Sequence, residues 1–534
     1  MDPPRSLIHG LEPVFKNNGW TAIDNPCAKL PFDHRDTVNW LKQRYWCDRQ
    51  RYFLRGHRNH MNPTQERWSK LNPKLNVKVD YNRYVVSGPG LGATVEGRIL
   101  AGHTRLPAEI AQAPAYTGQQ HNCSVGKPCG FQIRTFDSQG DPVNHNEARF
   151  KARLYGTAIV DADVMSIGGG VYNVSYTPYD AGMYLIQVLL TSVDGEGLGP
   201  EFINRNAPFL VNDLIYQSEH LLHVVWQDDS DDAVVSQCTT ADLERGRWVY
   251  VENECRRPYC TMAPGVTLSD LQINDPLGLN WNYVWVPIDC YYHLYTPLEF
   301  HQCTQQCGYS QWSLSGDSLG REMLQNLQMI LTDYSPSFAM PKLKLGGPHW
   351  SNSIKFRDVT NFSVNFVMNE YHETDDVAVL HLHNAHQLTS GTGVSALFPT
   401  NFATIEEFAR NCTKNPKQRC FYYVNPAIQR EADHSNNERL QRSFYRDVTR
   451  DRMQIFNMAL RDHARSQNLS IIEGEMPTRS RWQSCWDGIH YSEMFDHFEP
   501  GDSRWFGGAS MMITQTFINA ICNQPCYAME TTSS

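Results

Sequence analysis

Apolar positions in the C-terminal half of the chain switch between two periods. Gln311-Trp-Ser-Leu314 alternates as a short strand, and Leu319, Met323, Leu324, Leu327, Ile330 and Leu331 then recur at helical spacing. That switch predicts a strand-to-helix turn with the helix starting at about Ser318. Asp376 to Leu382 reads as a buried strand, and Phe421 to Val424 as another that Asn425-Pro426 stops. Leu440, Phe444, Val448, Ile455, Phe456 and Leu460 predict a long helix, followed by a strand over Leu469 to Ile472 and a last helix over about 507 to 522. Strands alternating with helices in this way predict a three-layer α/β domain.

The pattern differs upstream. Between about 74 and 212, Val/Ile/Tyr-rich runs are broken by Gly, Pro, Asn and Asp, as in a sheet of short strands. Alternation places Tyr184, Ile186 and Val188 on one face, which a half-buried sandwich strand requires. Residues 1–73 are rich in Asn, Arg, Pro and Trp with weak periodicity, and read as a leader region of unclear fold. The 534 residues therefore divide into a leader (1–73), a β-sandwich (74–212) and an α/β domain (213–534).

Charge and cysteine content narrow the partners and the compartment. A formal net charge of −10 argues against nucleic acid, and no run is apolar enough to cross a bilayer. The fifteen cysteines include clusters at Cys123/Cys129, Cys255/Cys260, Cys303/Cys307, Cys412/Cys420 and Cys522/Cys526. Zinc competes for Cys303-x-x-x-Cys307, but no second tight pair stands at finger spacing, so disulfides and an oxidising compartment are expected. N-x-[S/T] sequons at Asn122, Asn173, Asn361, Asn411 and Asn468 are compatible with that. Met1 to Gly10 lacks the apolar core of a signal peptide, so the compartment rests on the cysteines rather than on an address.

The chemistry concentrates in two fragments far apart in sequence, Ser315-Gly-Asp-Ser-Leu-Gly-Arg-Glu322 and Asp487-Gly-Ile-His490. Ser318 on a strand-to-helix turn sits where the first helical N–H groups are unpaired and can hold an oxyanion. As a bland alternative, Ser318 is a helix N-cap and Asp317 complements the dipole. The distal fragment supplies a base and a carboxylate three residues apart to orient it, so the pair contains the parts for acyl transfer through a covalent ester.

These residues resemble the PC-esterase branch of the SGNH/GDSL hydrolases. Gly316-Asp317-Ser318 with Arg321, the terminal Asp487-x-x-His490, and the order Cys238, Gly246-x-Trp248, Cys255, Trp285-x-Pro287-x-x-Cys290 are similar to plant trichome-birefringence-like O-acetyltransferases. Ser87-Gly-Pro-Gly-Leu91, Phe131 to Gly140, Tyr172 to Pro178, Ala181 to Val188 and Asn206 to Val211 look like a filamin-type, immunoglobulin-like repeat. A sandwich of that kind ahead of a PC-esterase domain resembles the neurexophilin and PC-esterase domain (NXPE) family.

The resemblance implies a catalytic Ser318, His490 and Asp487, with an oxyanion hole from the Ser318 N–H, Asn384 and a Gly347 N–H. Asn384 and His386 compete for that role, because His381-Leu-His-Asn-Ala-His-Gln387 departs from the relatives' usual forms, and plain turn glycines also account for Gly346-Gly347. A metal held by those histidines lacks an accompanying carboxylate pattern, so no metal is expected. Arg321, His386 and Asp317 are expected to position substrate or loop, a surface ion pair being the plainer account of Arg321. The implied activity is carbohydrate O-acetyl transfer through an acetyl-enzyme, with no bound cofactor and an acetyl donor, acetyl-CoA among the options, as co-substrate. Deacetylation by the same residues and a non-catalytic, neurexophilin-like extracellular binding role are the alternatives. A glycan or glycoconjugate is the expected substrate, the secretory pathway the expected location, and the sandwich a spacer or a module for a protein or carbohydrate partner.

Overall fold

The computed structural model describes residues 83–87, 95–97, 122–136, 149–192, 210–217, 222–226, 235–251, 253, 256, 259–271, 283–331, 351–355, 363–367, 376–382, 387–388, 394–415, 417–429, 448, 450–481, 489–491 and 508–524. The leader at 1–73 lies outside them. Two β assemblies organise the described residues.

The first has twelve strands: β1 (Arg83–Ser87), β2 (Val95–Gly97), β3 (Asn122–Ser124), β4 (Cys129–Phe136), β5 (Arg149–Gly156), β6 (Ala158–Gly168), β7 (Val171–Tyr176), β8 (Gly182–Ser192), β9 (Leu210–Gln217), β10 (Leu222–Val225), β11 (Gly246–Tyr250) and β12 (Tyr283–Pro287). They follow the order β2-β1-β4-β7-β6-β5-β8-β10-β3, with β9 paired to β8, β11 to β6 and β12 to β11. The long β6 changes partner along its length: Ile159 to Ala162 register with β5, and Asp163 to Gly168 with β7. A strand that switches sheets turns one sheet into two facing layers. Phe131, Ile133, Leu154, Tyr172, Val174, Tyr184, Ile186 and Val188 fill the core.

Two sequence expectations need correction here. The sandwich does not stop at residue 212, because β9 runs through that position and β10, β11 and β12 join the same assembly. Nor is β8 buried on one face alone: Tyr184 through Leu189 are all buried. On the outer face Arg153 of β5 donates to Gln187 Oε1 (2.8 Å) and to the Ser480 carbonyl (2.6 Å), so polar positions that read as solvent-facing lie beneath the C-terminal half.

The second assembly has six strands: β13 (Gln311–Ser315), β14 (Ser351–Lys355), β15 (Ser363–Val367), β16 (Val377–Leu380), β17 (Arg419–Tyr423) and β18 (Ser470–Ile472). Their order is β14-β15-β13-β16-β17-β18, parallel apart from β14. The described helices are α1 (Pro297–Gln306), α2 (Ser318–Leu331), α3 (Val394–Lys414), α4 (Arg450–Ser466), α5 (Glu475–Arg479) and α6 (Gly508–Cys522). Alternation along the strands separates two cores. Trp312, Leu314, Val377, Val379, Phe421 and Tyr423 share one with α2 and α6, whereas Ala378, Leu380, Tyr422 and Ile471 share the other with α3 and α4. Helices thus cover both faces, as a parallel sheet needs.

Disulfides join Cys123 to Cys129, Cys238 to Cys290, Cys303 to Cys522 and Cys412 to Cys420. The Cys303–Cys522 bond ties α1 to α6 across 219 residues. Cys260 and Cys307 are disulfide-bonded as well. Both sulfurs of Cys303-x-x-x-Cys307 are therefore committed, which removes the zinc alternative. Among the described residues no helix is long and apolar enough to cross a membrane.

Polar contacts fasten the sandwich to the segment that follows β18. Trp248 Nε1 donates to the Pro477 carbonyl (2.7 Å), the Arg481 guanidinium stacks 4.5 Å from the Trp248 ring, and Arg479 pairs with Asp161 (3.0 Å). Inside this seam burial pushes the Glu475 carboxyl up to about 7 from 4.5; Glu473 adds to the rise, and Arg479, Arg461 and Lys151 oppose it. A raised acid pKa means that the folded chain keeps a proton the unfolded chain releases, so stability falls as pH rises from about 4.5 to about 7. Glu475→Gln, which cannot ionise, should gain melting temperature relative to the native chain across that window. Thermal melts at a series of pH values test this, and a pH-independent difference would sink it.

Candidate active site

The sheet order places β15 and β16 on opposite sides of β13. The chain connections diverge there, and the crevice at the carboxyl ends of such strands is where doubly wound sheets bind ligands. Ser318 stands at that end, three residues past the last residue of β13 and at the first turn of α2. Leu319, Met323, Leu324, Leu327 and Ile330 anchor the helix in the two cores, while Ser318 itself is only partly buried.

The turn is tight. Gly316 adopts φ +155°, and a Cβ at that position would lie 2.8 Å from His381 Cδ2 and 2.9 Å from His381 Cβ. Glycine is needed there for both reasons. Asp317 caps the helix: its Oδ1 accepts the Leu319 N–H (3.0 Å), and its carbonyl accepts the Arg321 N–H (3.0 Å). The capping reading in the sequence thus belongs to Asp317 and leaves the Ser318 hydroxyl for other work. The Ser318 N–H makes no hydrogen bond among the described residues.

His490 meets Ser318 across 172 residues of sequence, with Nε2 2.6 Å from Oγ. Its neighbours hold it there. Ile489 is buried in the core beneath α3 and α4, and Tyr491 in the core on the other face. The Tyr491 hydroxyl reaches the carbonyls of Ala427 (2.7 Å) and Thr478 (3.2 Å). A half-buried imidazole between two anchored residues has little freedom to swing away from Ser318.

A second histidine, read in the sequence only as part of a metal set, lies behind Ser318. His381 directly follows β16 and is 1% exposed. Its Nε2 is 3.0 Å from Asp317 Oδ1 and its Nδ1 3.2 Å from the Tyr423 carbonyl, so both ring nitrogens are engaged and unavailable to a metal. Nearby carboxylates, together with burial, push the Tyr423 hydroxyl well above its ordinary range; burial is the larger cause, and Glu322, Asp317 and Glu473 add to it. Sequence reasoning missed the Asp317–His381 pair because its members are 64 residues apart and meet only through the adjacency of β13 and β16.

Of the other expected site residues, Arg321 is half-buried one turn into α2. Asp487, Asn384, His386 and Gly347 lie outside the described residues. Elsewhere, ligand atoms of Asp242, Glu244 and Glu473 come within 4.8 Å of one another. Arg465 binds the first two and Arg461 the last two at 2.6–3.3 Å, so the group is an ion-pair network rather than an open site.

Comparison with known proteins bears on the N-terminal part. Residues 110–198 match the Filamin/ABP280 repeat family. The crystal structure of the Lin-41 filamin domain aligns at 11% identity, covering 20% of this chain and 88% of that chain, with a TM-score of 0.14. No curated protein matches the chain. With the strand pattern above, the family match identifies the N-terminal part as a filamin-like, immunoglobulin-like β-sandwich.

Proposed function

We propose that the chain is a serine-dependent acyltransferase that moves acetyl groups onto carbohydrate hydroxyls, its α/β part being a hydrolase domain of the SGNH type. The observation that carries acyl transfer is the 2.6 Å contact between Ser318 Oγ and His490 Nε2 at the N-terminus of α2. In this reading His490 takes the Ser318 proton as Oγ attacks the acetyl carbonyl carbon. The oxyanion that forms is held by the Ser318 N–H and the dipole of α2, with the Asn384 amide as second donor and the Gly347 N–H as a third. Collapse breaks the bond to the donor's oxygen or sulfur, which leaves with the proton from His490. A sugar hydroxyl then gives its proton to His490, attacks the acetyl-enzyme, and Ser318 departs with that proton. Asp487 is assigned to orient the imidazole.

The carbohydrate acceptor and a secretory location rest on the PC-esterase resemblance, and the disulfides accord with an oxidising compartment. If water discharges the intermediate, the same residues make an esterase.

Brief exposure of the native chain to an activated acetyl ester, followed by intact mass and peptide mapping, tests the proposal. One acetyl group on the Ser318 peptide, discharged faster by added oligosaccharide than by buffer, is the expected result. Discharge that ignores sugars would make the chain an esterase. No adduct and no turnover in a folded, disulfide-intact sample would leave the binding-protein reading.

A further inference from the structure

We propose that His381 is a positioning residue for the nucleophile and acts through Asp317; this rests on the acyl-transfer reading of Ser318. Asp317 is the residue immediately before Ser318, and its carboxylate is almost wholly buried. A buried carboxylate needs hydrogen-bond partners, and the partners it finds decide how it points. Oδ1 receives two donors, the Leu319 N–H from the helix it caps and His381 Nε2 from the neighbouring strand.

The imidazole is fixed on every side. Its Nδ1 lies 3.2 Å from the Tyr423 carbonyl, its ring lies 4.8 Å from the Tyr423 ring, and its backbone N–H donates to the Ser315 carbonyl at 2.9 Å. The same ring lies against the Cβ-free face of Gly316. His381 therefore contacts Ser315, Gly316 and Asp317, the three residues that lead into Ser318.

Two consequences follow for the chemistry. With Oδ1 locked, the Leu319 N–H is committed to the cap, whereas the Ser318 N–H has no such acceptor among the described residues. With the turn clamped from behind, Ser318 Oγ is held at hydrogen-bond distance from His490 before substrate arrives. Displacing a reacting group by an ångström costs up to about 100-fold in rate, which sets the size of effect to expect.

The test uses the full chain with a fluorophosphonate probe and an activated acetyl ester. His381→Leu should slow both probe labelling of Ser318 and kcat by about 10- to 100-fold, with KM within about twofold. His381→Gln, whose amide nitrogen can still donate to Asp317, should recover most of that loss. The double variant His381→Leu/Asp317→Asn should be no worse than Asp317→Asn alone, because the two residues act as one unit. A merely structural histidine would shift melting temperature without this kinetic pattern. Native-like labelling and kcat in folded His381→Leu would overturn the proposal and leave the acyl-transfer reading intact. So would His381→Gln as impaired as His381→Leu, or additive losses in the double variant; if His381→Leu does not fold, His381→Asn, whose amide is one carbon shorter, replaces it in both comparisons. A native chain that neither labels nor turns over would overturn both.

Discussion

Ser318→Ala should lower turnover of an activated acetyl ester by at least about 10³-fold, and His490→Ala should cost nearly as much. The reason is that the two side chains form one chemical unit. Without His490 the hydroxyl 2.6 Å away keeps its proton and is a poor nucleophile at neutral pH. Without Ser318 the imidazole has nothing to activate except water. The double variant should therefore be no slower than Ser318→Ala, since either deletion already removes the covalent route. Initial rates for the four chains measure this. Multiplicative losses would mean that the residues work independently, and undiminished turnover in Ser318→Ala would end the covalent mechanism. Melting temperatures should barely move, because both side chains are partly exposed at the crevice.

What was legible in the sequence was what local pattern controls. The helix expected from Ser318 runs from Ser318 to Leu331, and the strands expected near 376–382, 421–424 and 469–472 are β16, β17 and β18. Each has apolar residues at a period that only one element can bury. The long helix read from Leu440 onward is described only over Arg450–Ser466. Helix α3 escaped notice; it carries Pro399 inside its span, and proline argues locally against a helix interior.

What was not legible depends on which strands become neighbours. The Ser318–His490 contact was expected from residue types, yet the hold on His490 comes from Tyr491 reaching Ala427 and Thr478, which no spacing announces. Asp317 read as a dipole complement and is also half of a buried pair with His381. Cys303 stood beside Cys307 in sequence and bonds Cys522 instead, because α1 and α6 pack together. Arg153 and Gln187 occupy positions that alternation assigns to solvent, and they are buried because the C-terminal half covers that face.

The C-terminal half covers that face, and one buried ion pair within the twelve-stranded assembly should carry a large share of its stability. Arg247 of β11 grips Asp180, between β7 and β8, with two hydrogen bonds of 2.8 Å, and the two side chains are 0% and 1% exposed. The same guanidinium donates to the Tyr259 carbonyl at 2.7 Å, and the Asp180 carbonyl accepts the Tyr184 hydroxyl at 2.8 Å. Removing one member strands the other charge away from water, so Arg247→Met should destabilise the fold by about 3–5 kcal/mol. Replacing both, as in Arg247→Met/Asp180→Leu, should recover much of that loss, because the desolvation of two charges disappears together with their attraction. Denaturant unfolding followed by tryptophan fluorescence measures both effects, since Trp248 lies in the joint beside Arg247, and Trp312 at the centre of the α/β sheet. The native chain should unfold in one transition, because β11 and β12 belong to the sandwich assembly while Trp248 and Arg481 tie that assembly to the segment leading to His490. Arg247→Met should move that single transition to lower denaturant. An unchanged midpoint would show that the pair contributes little, and two transitions already present in the native chain would show that the sandwich unfolds apart from the α/β half.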